Sequence, residues 1–392
     1  MNNLPKYNAL YLASIPFLGI YRLPIGIPLD WVLVAILFTL NLCHKNLNYF
    51  LKVRKNEWNW YLSIICIGFI GLICNCVQDY FSIQLFMTNF FALSIFFWAL
   101  IFITSSCDKN YFIRCLYIFG LLASFICLFQ RIQLMLTGVF LVDVFIPGLE
   151  VNREIESFDL TRVSAFFTEP AHLSIYLLPI FYIALNHEKK IFSLIFAGGI
   201  IFSGSSTGLL LLVILVFLFL IKSGVSKIYV FISIVAFTII SLLVISFFPD
   251  VLLDNINKIS GTDFKNGSRL LGPLNHFGLF DFLQLLFGVG FNQLHLFLKV
   301  HGITLENDWG IEINANFANA FFYMALSYGL IGLLFFIKYM KRTIEYHLCD
   351  LGLVVYSMGI LLSDQVLFNR NLLYILSLLL FSKYIIINNK SK

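Results

Sequence analysis

Charge is what this sequence has least of. Asp, Glu, Lys and Arg make up 12% of its 392 residues, against 60% hydrophobic and 17% aromatic, and mean hydropathy is +0.89. A soluble surface cannot be built from so few charges. Repeated apolar runs of helix-spanning length imply an all-α polytopic membrane protein. Nucleotide signatures are missing too: there is no Walker motif, no glycine-rich dinucleotide fingerprint, no His-Glu-x-x-His helix and no nucleophile elbow. Their absence argues against nucleotide-driven chemistry. The eight cysteines, at 43, 66, 74, 76, 107, 115, 127 and 349, show no metal-ligand spacing. Free thiols are expected, with no disulfide framework, no zinc and no other cofactor. The first apolar run leads into Arg22 and Pro24, not into a small-residue cleavage site, so no cleavable signal peptide is expected.

The apolar runs divide into about twelve transmembrane segments: 7–22, 29–43, 59–77, 83–104, 113–136, 169–185, 191–203, 207–221, 228–248, 316–337, 348–363 and 371–387. The chain reads as a single integral membrane domain over 1–392. The net charge of +5 sets orientation; it does not imply nucleic-acid binding, because Lys and Arg cluster in short loops on one side. By the positive-inside rule both termini are cytoplasmic. That rule also decides residues 191–221. A hairpin broken at Ser203-Gly-Ser-Ser-Thr-Gly208 keeps Lys222, Lys338, Lys341 and Arg342 inside, whereas one long helix would put them outside.

Two outer loops are long, at 138–168 and 249–315. Within the second, Gly288-Val-Gly290 divides an apolar stretch into halves too short to span, read as two interfacial or re-entrant helices. Long loops on one face place the work there. Its candidates are Arg162, Glu169, His172, Arg269, His276, His295, His301 and Arg370. Arginine forks suit a phosphate or diphosphate, and a carboxylate or imidazole suits proton removal from a hydroxyl. The segment Arg162-Val-Ser-Ala-Phe-Phe-Thr-Glu169-Pro170-Ala-His172 concentrates these groups where a charged loop meets an apolar helix. Thr168 is expected to cap that helix, Pro170 to sit in its first turn, and Glu169, His172 and Tyr176 to share a face. Plainer readings stand beside these. Arg131 snorkels near a helix end, His276 and His295 sit at headgroup level, and Glu150 to Asp159 is a solvated loop face because its acids alternate with Asn, Arg and Ser. The Ser203–Gly208 tip is a turn and helix start.

Four motifs, in order, resemble the Wzy-type O-antigen polymerases and, more loosely, the related O-antigen ligases. They are Arg162…Phe-Phe-Thr-Glu169-Pro170-Ala, Ser203-Gly-Ser-Ser-Thr-Gly208-Leu-Leu, Leu286-Phe-Gly288-Val-Gly290 and Asn316-Phe…Tyr328-Gly329-Leu-Ile-Gly332. The resemblance implies a membrane glycosyltransferase of GT-C-like architecture, without nucleotide sugar or metal. It would join undecaprenyl-diphosphate-linked oligosaccharides on the periplasmic face of a bacterial inner membrane. It implies diphosphate binding by Arg162 and Arg269, with Arg370 a further candidate, and membrane lipid and a chain-length regulator as partners. Glu169 would be the base or orienter, with His172 or His301 as alternatives. Ala315 stands where ligases carry a His, which favours a polymerase. A ligase, or a lipid-oligosaccharide flippase, is the alternative. A transporter places charges at the middle of its spans, whereas here they gather at one face.

Overall fold

Helix ends are tied together by side-chain bonds, and those bonds define the two ends of the bundle. The computed structural model describes residues 3–139, 146–151, 163–224, 271–303, 305–306, 312–313 and 318–387. Arg162, Arg269, the expected span 228–248 and most of both long loops lie outside these residues.

The helices are α1 Leu4–Leu18, α2 Leu29–His44, α3 Leu47–Val53, α4 Lys55–Asn75, α5 Ile83–Trp98, α6 Lys109–Thr137, α7 Pro170–Asn186, α8 Lys190–Ser203 and α9 Ser206–Lys222. After the large loop begins come α10 Leu271–His276, α11 Phe282–Phe287, α12 Leu294–Val300, α13 Ala320–Tyr346, α14 Leu351–Ser363 and α15 Arg370–Ile387. A π turn, Ala99–Ile103, extends α5. Two-residue strands pair antiparallel: β1 Tyr21–Arg22 with β2 Glu150–Val151, and β3 Leu305–Glu306 with β4 Glu312–Ile313. Among the described residues, four helices are long and apolar enough, by length and composition, to cross a membrane: Lys55–Asn75, Ile83–Ile103, Lys109–Thr137 and Ala320–Tyr346. Leu29–His44, Pro170–Asn186, Lys190–Ser203, Ser206–Lys222 and Leu351–Ser363 are shorter apolar helices, so the molecule is a mostly helical, membrane-embedded bundle.

Lys45, Lys52, Arg54, Lys55, Lys109, Lys189, Lys190, Lys222, Lys341 and Arg342 lie at or beside helix ends that meet at one end of the bundle, the basic end. There Lys222 Nζ reaches Asp350 Oδ2 at 2.5 Å and the Tyr182 hydroxyl donates to Asp350 Oδ1 at 2.7 Å. This pins α7, α9 and α14 together.

Helix α7 is the central post. Leu173 to Ala184 are all buried. Pro179 has no N–H for the carbonyl of Ile175, four residues back. The Tyr356 hydroxyl of α14 donates to that carbonyl instead, at 2.7 Å. Tyr176 donates to Ala13 of α1 at 2.9 Å, and Tyr374 of α15 donates to Tyr176 at 3.1 Å. With no water in an apolar core, such bonds satisfy the polar tips and lock neighbours in register.

The expected hairpin at 191–221 is present as a break. Gly204 takes a left-handed conformation after α8, and Ser205 caps α9 by accepting from Gly208 N–H at 3.2 Å. The expected span 316–337 is not one rod. It begins at Ala320 and bends at Gly329, whose φ is +71°. The bend leaves the carbonyls of Leu326 and Ser327 without helical partners. Val289 and Gly290 donate to them at 3.1 Å each. The stretch 279–298 is thereby packed into the bundle: Val289, Phe291, Leu294, Phe297 and Leu298 are all 0–1% exposed.

Candidate functional site

Opposite the basic end, α7, α9 and α14 part. Ala171, Ser174, Ile175, Leu178, Thr207, Gly208, Ile360, Ser363 and Asp364 line a small recess open to the surface. Gly208 lets α9 approach α7 closely, because a Cβ there would fall 2.4 Å from Ser174 Oγ. Ser174 Oγ meets Ser203 Oγ at 3.1 Å, so the break between α8 and α9 is fastened to α7. Two helix N-termini, those of α7 and α9, border the recess and bring their partial positive charge to it.

The loop leading into α7 is held firmly. Ala165 has φ +52°, unusual for a residue with a Cβ. The Gln130 amide clamps its backbone both ways: Nε2 donates to Ala165 O at 3.1 Å and Oε1 accepts from Ala165 N–H at 2.8 Å. Phe166 and Phe167 pack edge-on against Phe17, at 4.6 and 6.0 Å. The next residues start from a fixed base.

Thr168 does not cap α7. Its hydroxyl lies 2.5 Å from His172 Nδ1. Glu169 occupies the N-cap position with no side-chain cap bond, and Pro170 is the first helical residue. The other ring nitrogen of His172, Nε2, lies 3.8 Å from Asp364 Oδ2, with the side chains 26% and 13% exposed. When Thr168 donates to Nδ1, Nε2 carries the proton and faces the carboxylate. Groups 3.8 Å apart can share one oxygen at about 2.8 Å from each, so a substrate hydroxyl fits between them. Asp364 is fixed as the C-cap of α14, and its carbonyl accepts from Ala320 N–H at 3.0 Å. The Glu169 carboxylate is half-buried and makes no hydrogen bond or ion pair among the described residues.

The other expected residues lie apart from this line. Tyr176 is fully buried and spent on Ala13, so the anticipated polar stripe stops at His172. His301 is exposed, donates from Nδ1 to Phe297 O at 2.8 Å and lies against the Phe297 ring, one turn back on its own helix. His276 and His295 are half-buried with Nδ1 unpartnered, and burial pushes both imidazoles below the ordinary histidine range. Arg370 opens α15. Its guanidinium fills the space beside Gly19, where a Cβ would lie 1.6 Å from Nη1, and its field reaches Asp30 and Tyr11. It thus sits at the C-terminal end of α1, where a cation is favoured. Arg131 does not snorkel; it is 8% exposed.

Sequence reasoning missed Asp364. It belongs to the short connection Asp364–Asn369, far from His172 along the chain. Its one signal was a lone carboxylate ending an apolar run in a chain poor in charge. No protein-family model matches the chain, and no curated protein does.

Proposed function

We propose that the chain is an O-antigen polymerase, a membrane glycosyltransferase of twelve spans and GT-C-like architecture with the recess on the periplasmic side. The observation that carries the reading is the His172–Asp364 pair at 3.8 Å on the rim of the recess. A polymerase must activate one sugar hydroxyl without nucleotide or metal, and an imidazole next to a carboxylate does that. In this reading the acceptor hydroxyl sits between His172 Nε2 and Asp364 Oδ2. Its oxygen attacks the anomeric carbon of a lipid-linked repeat. The bond from that carbon to the diphosphate breaks, its electron pair leaves with undecaprenyl diphosphate, and the proton passes to the Asp364 carboxylate while His172 Nε2–H holds the acceptor oxygen. Glu169, whose carboxylate bonds to none of the described residues, orients the acceptor or takes the proton in their place. Arg162 and Arg269 hold the diphosphate. Arg370, beside Gly19, and His301, on α12, become supporting residues. A chain-length regulator and membrane lipid are the partners, with both termini in the cytoplasm of a bacterial cell.

The experiment is the lipopolysaccharide ladder of a strain lacking the protein. A polymerase leaves core capped by a single repeat. A strain with no O-chain at all points to a ligase or flippase, and this reading fails.

A further inference from the structure

The bond between Thr168 and His172 breaks a local rule. A threonine at the start of a helix ordinarily gives its hydroxyl oxygen to a free N–H of the first turn. The first turn of α7 has room for such a bond, because Pro170 is its first residue and Glu169 makes no side-chain cap bond. The Thr168 hydroxyl instead lies 2.5 Å from His172 Nδ1. It makes no other hydrogen bond among the described residues. A helix start left uncapped beside a recess gives up local stability, and functional sites are where proteins do that.

The two partners come from separately fixed parts of the chain. Thr168 follows a closed turn: Phe167 N–H donates to Ser164 O at 3.0 Å, and Ser164 Oγ donates to Phe167 O at 3.0 Å. Val163, Ala165 and Phe167 in that turn are fully buried. His172 belongs to α7, whose next residues are buried from Leu173 onward. A bond between these two parts holds the imidazole at one rotation.

The far side of the ring sets the direction of that bond. Nε2 lies 3.8 Å from Asp364 Oδ2. A bare Nε2 would aim its lone pair at a carboxylate, acceptor against acceptor. An Nε2–H offers a donor to any oxygen placed between them. In the neutral ring one nitrogen carries hydrogen and the other accepts. Nδ1 is then the acceptor, and the Thr168 hydroxyl donates to it. The partner of one ring nitrogen thereby fixes the state of the other. Serine could do the same, whereas valine, with the shape of threonine, could not.

We propose that Thr168 is a positioning residue: its hydroxyl holds His172 in the rotation and tautomer that point Nε2–H toward Asp364, so that the carboxylate is left to take the substrate's proton. The part played in turnover rests on the reading of the recess as a reaction site. The state of the ring does not, and it is read without substrate.

The test uses the full-length protein in detergent with isotopically labelled histidine, read by nitrogen NMR at about pH 8, above the ordinary histidine range. His172 is one of seven histidines, and its ring signals are those missing from His172→Gln. In the wild type Nε2 should give a protonated, pyrrole-type signal and Nδ1 a bare, pyridine-type signal shifted by an accepted hydrogen bond. Thr168→Ser should keep both signals. Thr168→Val should move the Nδ1 signal. In the same variant kcat for chain extension should fall roughly tenfold or more with KM nearly unchanged, and Thr168→Ser should restore it. A pyrrole-type Nδ1 in the wild type would overturn the proposal, and it decides alone should Thr168→Val fail to fold. Ring signals unmoved in Thr168→Val, or moved signals with full kcat, would overturn it too. Ring signals as expected in a wild-type protein that extends no chain would support the assignment of the ring and contradict the polymerase reading instead.

Discussion

Gly288 and Gly329 cross backbone to backbone. A Cβ on Gly288 would fall 2.3 Å from Ser327 C, and one on Gly329 would fall 2.1 Å from Leu286 O. Their φ angles are +78° and +71°. The crossing folds the two arms of α13 toward each other, so Phe321 and Phe336 touch at 5.7 Å although a straight helix would hold them about 22 Å apart. The N-terminal arm then delivers Ala320 N–H to Asp364.

Substitution at this crossing should therefore be costly. Gly329→Ala meets both a positive φ and a backbone collision, and the φ alone costs about 1–3 kcal/mol. Gly278→Ala, with open space around it and an ordinary φ, should be silent. Melting of the two variants in detergent checks this, and equal Tm values would contradict the crossing.

The clamp on Ala165 gives a second expectation. Gln130→Ala removes both bonds to the Ala165 backbone and leaves buried N–H and C=O groups unpaired, a loss of roughly 1–3 kcal/mol for each group so exposed. The loop carrying Thr168 and Glu169 should loosen, so chain extension should fall more than protein level does. An immunoblot beside the ladder reads both. Unchanged extension would mean that the clamp does not position the site.

The basic end should respond to pH. Burial, then Arg54 and Lys109, push His347 down to about 4. In the unfolded chain its imidazole titrates near about 6.5. Between these values the unfolded state takes up a proton that the folded state refuses, so stability holds above about pH 6.5 and falls as pH drops toward about 4. His347→Gln should flatten that part of the curve of Tm against pH. Parallel curves for the two proteins would contradict it.

Much of this was legible in the sequence. Apolar runs located the helices well because a lipid-facing helix must be apolar along its whole length. The break at Gly204 was legible because a single helix there would have moved Lys222 and Arg342 to the wrong side. The bend at Gly329 was not, since Tyr328-Gly329-Leu330 also reads as an ordinary stretch of apolar helix; what forces the bend is the backbone of Gly288, distant in sequence. Thr168 looked like a cap because Thr favours that position, but His172, one turn on, competes for its hydroxyl. The pairing of His172 with Asp364 depends on α7 and α14 lying side by side, which no local pattern encodes.

Orientation is tested independently of the chemistry. Reporter fusions after Lys189 and Lys341 should read as cytoplasmic, and fusions after Gly138 and Gly302 as periplasmic. A cytoplasmic signal at Gly138 would move the recess to the side where no lipid-linked repeat is presented.

The most direct test is the rate of chain extension by the purified protein, with lipid-diphosphate-linked repeats as substrate. Asp364→Asn keeps the shape and removes the charge that faces His172 Nε2. If Asp364 takes the acceptor proton, kcat should fall about 10²-fold or more, KM should change little, and His172→Gln should add little further loss in the double variant. Wild-type kcat in Asp364→Asn, with the protein folded, would contradict the account.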